Sequence, residues 1–154
     1  MRQTRGFSLV ESMLAVLVLS LIAVLAMEAA GNSARVQKTL VDKQLADRLA
    51  DSLLAEITSK SYPGATTPAA LPTTRGSYTR IDQYAAFDES PPTFRSGENA
   101  NLAATWRRTV ELSFIDPADP ARTVPTDSGL RRISITVLRD STVLSQRVAL
   151  RGRD

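Results

Sequence analysis

The sequence predicts an α+β fold, in which one long N-terminal helix packs against a small C-terminal antiparallel sheet. Three observations carry that expectation. No proline occurs before Pro63, and Gly31 is the only glycine between Phe7 and Lys60, so nothing across residues 7–60 interrupts a helix. From Thr105 onward apolar residues recur at alternate positions, the period of a strand. Between these regimes, residues 61–104 are rich in Pro, Gly, Ser, Thr and Ala and keep no period, as a long connection does.

Composition narrows the function. A chain of 154 residues suits one compact domain with an appendage. Histidine and cysteine are both absent, which excludes Ser-His-Asp and Cys-His triads, Cys/His zinc sites, iron–sulfur clusters and thiol redox chemistry. No nucleotide-binding glycine loop or nucleophile motif replaces them, so neither an enzyme nor a cofactor or metal is expected. The net charge of +3 includes Arg2 and Arg5 at the extreme N-terminus. Without them the charge is close to balanced, which argues against nucleic acid as a partner.

The first element is MRQTRGFSLVESMLAVLVLSLIAVLAMEAA. A basic head leads into an apolar run from Met13 to Met27 whose only polar member is Ser20. Residues 7–30 are long enough to cross a ~30 Å hydrocarbon core at 1.5 Å per residue. Arg2 and Arg5 ahead of the span place the N-terminus in the cytoplasm and the remainder outside. A secretory signal is the competing reading, but no Ala-x-Ala-like site cleanly ends the apolar body. Glu11 fits neither an anchor nor a secretory signal, because a lone carboxylate at the mouth of an apolar span is costly without a partner.

The order Arg5-Gly6-Phe7-Ser8-Leu9-Val10-Glu11-Ser12 resembles the class III signal of type IV prepilins and type II secretion pseudopilins. That resemblance implies a pilin-like fold and a leader of residues 1–6, removed after Gly6 by a prepilin peptidase. It also implies N-methylation of Phe7, and an assembly role for Glu11 against the terminal ammonium of a neighbouring pilin or pseudopilin subunit. A carboxylate and an ammonium buried together in an apolar core neutralise each other, whereas each alone would be an unpaired charge. The implied location is the bacterial inner membrane, in contact with its lipid, with a periplasmic head and later residence in a pilus or pseudopilus.

Residues 31–60 continue the helix as an amphipathic half. Val36, Leu40, Leu45, Leu49, Leu53 and Ile57 form a stripe broadened by Val41, Ala46, Ala50 and Leu54, while the opposite side carries Asp42, Asp47, Asp51 and Glu56. Drift toward four-residue steps argues against a coiled coil. Tyr62-Pro63-Gly64 is the expected stop. Glu28, late in the apolar run, reads as an interfacial side chain or as a second inter-subunit ion pair.

Within residues 61–104, Tyr78 to Asp88 holds three aromatics and Ile81, and is expected to fold back over the helix or sheet. With the following Ser90-Pro91-Pro92 it resembles a segment of minor pilins of the mannose-sensitive haemagglutinin group, from which it departs in having fewer acids. Asp82 and Asp88 read as solvated surface acids.

Residues 105–154 read as an antiparallel meander. Trp106, Arg108, Val110, Leu112 and Phe114 share one side of a first strand, and Arg108 on that side suggests a sheet edge there. Residues 116–129 read as a turn-rich loop, whose Asp116, Asp119 and Asp127 suit turns better than calcium. Leu130 to Arg139 is the second strand, Asp140-Ser141-Thr142 a tight hairpin, and Val143 to Leu150 a third strand with Leu144, Val148 and Leu150 aligned inward. Functionally the chain reads as a structural filament subunit, a minor pilin or pseudopilin. The alternative is a single-pass anchored binding protein that never polymerises.

Overall fold

The computed structural model describes residues 9–63, 74–96 and 102–153. Helix α1 runs Leu9–Thr58 and contributes to two compact units, Met1–Val41 and Asp42–Asp154. In the first unit the helix stands without a covering layer, and every described side chain of residues 9–41 is exposed.

The second unit, the head, is built on the last turns of α1. Ala46, Leu49, Ala50, Leu53 and Ile57 are buried there at three- and four-residue steps, as one helical face requires. The packed part of the expected stripe is therefore shorter than its sequence pattern, since Val36, Leu40 and Val41 are exposed. The helix ends at Thr58, ahead of the expected Tyr62-Pro63-Gly64 stop. Hydroxyls finish it. Thr58 Oγ1 donates to the Leu54 carbonyl at 2.8 Å, and Ser59 Oγ donates to the Glu56 carbonyl at 2.7 Å, satisfying carbonyls that the helix end leaves open.

The strands form one antiparallel sheet: β1 (Asp88–Glu89), β2 (Trp106–Asp116), β3 (Asp119–Val124), β4 (Leu130–Arg139) and β5 (Thr142–Gly152). The path is β1-β2-β4-β5, with β3 pairing along the far end of β2. The β2-β4-β5 meander agrees with the sequence reading, and two other strands join it. β1 pairs Glu89 with Arg108, so β2 is covered on that side and Arg108 does not mark an exposed edge. β3 lies within the expected 116–129 loop and pairs Phe114 with Val124. Its residues Asp119 to Thr123 are all exposed, so no alternation betrayed it, and Pro120 suits an edge strand that need not donate there.

Trp106, Val110, Ile133, Ile135 and Val137 close the core over α1. On β5 the expected alignment of Leu144, Val148 and Leu150 fails beyond Leu144. A register shift between Val137 and Leu138 leaves Leu144 as an extra residue, since Val137 faces Ser145 while Leu138 faces Val143. The parity then flips: Ser145 is buried, and Val148 and Leu150 are exposed. The β4–β5 turn matches expectation. Asp140 and Ser141 take φ of 48° and 66°, the left-handed pair that a two-residue hairpin demands.

The Tyr78–Asp88 segment does fold back. Ile81 and Tyr84 are fully buried in the core, and the Tyr78 ring meets Tyr84 edge-on at 4.9 Å. A single parallel bridge between Ser61 and Arg80 ties it to the end of the helix.

Candidate functional site

Of the sequence-predicted site residues, Gly6 and Phe7 lie outside the described residues. Glu11 is in the first described turn of α1, exposed, beside a shallow apolar groove lined by Leu9, Ser12, Met13 and Val16. Above it the helix is apolar all round. Val18 is the most covered of its large apolar side chains and is still 45% exposed. A helix greasy on every side is stable only when lipid or other protein surrounds it. Ser20 does not break this surface, because its hydroxyl donates to the Val16 carbonyl at 2.8 Å and is satisfied within the helix. α1 is long and apolar enough to cross a membrane.

The head holds a second polar constellation that the sequence reading missed. Glu56, assigned to the solvent side, is buried at the heart of it. Tyr84 Oη donates to Glu56 Oε1 at 2.6 Å, and Arg75 donates to both carboxylate oxygens, at 3.2 Å from Nε and 2.5 Å from Nη2. Arg108, only 1% exposed, donates from Nη2 to Glu89 Oε2 at 2.6 Å and to the Thr93 carbonyl at 3.0 Å. Its Nη1 reaches the Leu49 carbonyl of α1 at 3.0 Å. Arg75 completes the ring, donating from Nη1 to the same Thr93 carbonyl at 3.1 Å and standing 3.6 Å from Glu89.

The electrostatics follow from this geometry. Burial pushes the Glu56 carboxyl up, but the bonds from Arg75 and Tyr84 and the charge of Arg75 outweigh it, leaving the group below its ordinary value. Burial and the bond to Glu56 raise the Tyr84 phenol well above its ordinary value. Two acids and two arginines thus cancel in a closed set, with no activated nucleophile among them. Their chemistry is adhesive, since they hold helix, connecting segment and sheet to one another. A signal was present in the sequence: Glu56 lies on the helical arc of Leu49, Leu53 and Ile57, as Arg108 lies on the inward row of β2.

Several other charges of the head are also engaged. Asp82 pairs with Arg80 at 2.5 Å and Asp88 with Arg107, so neither is a merely solvated acid. Asp116, Asp119 and Asp127 each accept a backbone N–H two residues on, at 2.9, 3.0 and 2.9 Å. Arg131 lies 4.4 Å from the Phe114 ring centroid, Arg132 donates to the Pro120 carbonyl, and Arg139 and Arg147 pair with acids of α1.

Comparison with known proteins places one match on the chain. Residues 1–27 fit the family described as prokaryotic N-terminal methylation motif. This is the type IV prepilin-type signal, and it supports a pilin or pseudopilin assignment. No curated protein and no solved structure matches the chain.

Proposed function

Starting from a chain that carries a type IV prepilin-type signal ahead of a pilin-like helix and sheet, we propose a structural subunit, a minor pilin or pseudopilin, of a type IV pilus or type II secretion-like filament. Prepilin peptidase removes residues 1–6 after Gly6, and Phe7 is then methylated. Residues 7–30 anchor the subunit in the inner membrane with the head outside, and later form part of a filament core. The head, from the end of α1 through the sheet, is the surface portion, and its role is structural and not catalytic.

One observation carries the reading. Among the described residues nothing covers the apolar turns of α1, so they offer a surface without its cover. Lipid provides that cover before assembly, and neighbouring subunits provide it afterwards. Glu11 is the charge exception on this surface, and the Phe7 ammonium of a neighbouring subunit offsets it.

Mass spectrometry of the mature N-terminus tests the processing step. Methylated Phe7 is the expected terminus, and retention of Met1 or cleavage near Ala30 overturns the proposal. Glu11→Val should leave the chain in the membrane but remove it from filaments. Unchanged incorporation would refute the ion-pair role of Glu11, whereas absence of the unmodified chain from filaments would favour an anchored protein that does not polymerise.

A further inference from the structure

One stretch of α1 is explained neither by the membrane nor by the head. Glu28, Gly31, Asn32 and Arg35 line a shallow notch together with Met27, and all four are exposed. A seven-residue step returns a helix to within ~20° of the same azimuth, so Glu28 and Arg35 share a face with Gly31 and Asn32 between them. That face continues the apolar row of Leu21, Val24 and Leu25 below it.

Gly31 has no internal reason to be glycine. It lies inside a continuous helix, its φ is not positive, and a Cβ added there would meet nothing within 4 Å. Glycine is unfavourable in a helix interior, and at helix–helix contacts it is kept where two backbones must approach closely. The charges tell the same story. Among the described residues neither Glu28 nor Arg35 has an ion-pair partner, and the helix holds them ~10.5 Å apart along its axis.

We infer that this face docks on the same face of a second copy of the chain, parallel and staggered, with Glu28 of one copy against Arg35 of the next. The surface is self-complementary at a shift of seven residues. Arginine side chains on a helix lean toward its N-terminus, so somewhat smaller shifts also close the pair. The sense of the shift is the one that brings a Phe7 ammonium level with a neighbour's Glu11. The inference rests on the filament reading and extends it, because it fixes a second charged contact several turns above the first and makes Gly31 its point of closest approach.

The chain contains no cysteine, which permits a direct test. The full-length double variant Glu28→Cys/Arg35→Cys is expressed beside a filament machinery and oxidised in membranes and in the filament fraction. Cysteines one heptad apart on one helix exceed the ~7 Å Cα limit for a disulfide, so cross-links form only between copies. A ladder beyond the dimer is expected from the double variant, and none from either single variant. Adding Gly31→Leu should abolish the ladder. Because cysteines remove the charges, a second series keeps them: Glu28→Arg and Arg35→Glu alone should each lower filament recovery at least about fivefold, and the double swap should restore it. Recovery of the double cysteine variant in filaments without any ladder, or single reversals that assemble normally, overturns the contact. Absence of the unmodified chain from filaments overturns the filament reading itself, so the two failures are distinct.

Discussion

Arg108→Met is the sharpest probe of the head. Arg108 is 1% exposed and donates to Glu89, to the Thr93 carbonyl and to the Leu49 carbonyl of α1. Removing one member of a buried ion pair costs about 3–5 kcal/mol because the other charge is stranded. Glu89 is not wholly stranded, since its side chain is 14% exposed, Arg75 remains 3.6 Å away and the Thr93 hydroxyl still bonds to it. The lower end, about 3 kcal/mol, is therefore expected, a large share of the ~5–15 kcal/mol that holds a typical domain folded. Urea unfolding of the detergent-solubilised full chain can be followed by fluorescence of Trp106, the only tryptophan, which is buried in the core beside this cluster. Replacing both partners removes the stranded charge, so Arg108→Met/Glu89→Leu should regain about 2 kcal/mol over the single arginine variant. A single substitution costing under ~1 kcal/mol, or a double variant that recovers nothing, would refute the assigned role of the pair.

Other outcomes follow from the same geometry. The Glu56 carboxyl is lowered despite its burial, because Arg75 and Tyr84 outweigh the desolvation. It therefore stabilises the head above the ordinary carboxylate value of about 4.3, and that contribution fades as pH falls through the lower folded-state value; Glu56→Gln should flatten this acid limb in urea midpoints. Tyr84 has the opposite sign, since burial and Glu56 raise its phenol, so its contribution is complete below about pH 10 and is lost as pH rises beyond it. Ultraviolet titration should show that phenolate forming only as the head unfolds. Leu53→Ala removes a fully buried side chain from α1 and should cost about 2–5 kcal/mol by the same fluorescence assay. Gly129→Ala should cost about 1–2 kcal/mol, because Gly129 holds φ at +81°, where a Cβ meets the backbone.

The apolar N-terminal half of α1 was more legible than the head. A prepilin-type signal is written in consecutive residues, and an all-apolar helix needs no folding to be recognised. β4 was found at its observed limits because Ile133, Ile135 and Val137 alternate without interruption. The misreadings in the head have separate physical causes. β3 spends its side chains on solvent and is strand only through its pairing with β2. One bulged residue on β5 turns Val148 and Leu150 outward, and a two-residue period cannot announce that slip. Arg108 and Glu56 were sorted by charge, yet they sit inside because Glu89, Arg75 and Tyr84 come from a distant stretch of chain to receive them. Pairing across such distances is invisible to a local window.

The outer end of the helix–sheet interface has a mechanical consequence. Asp42 bonds to Arg139; Asp47 accepts from Ser145 at 2.6 Å and from Arg147 at 3.0 Å; Asp51 accepts from Arg147 at 2.7 Å. Three acids of α1, five and four residues apart, are thus rivetted to the β4–β5 hairpin. A pull along the helix axis loads these rivets side by side, in shear, where a peeling force would load them one after another. Tension delivered through the helix is then shared before any single bond must yield, and the head rides on its helix as a cleat on a rope.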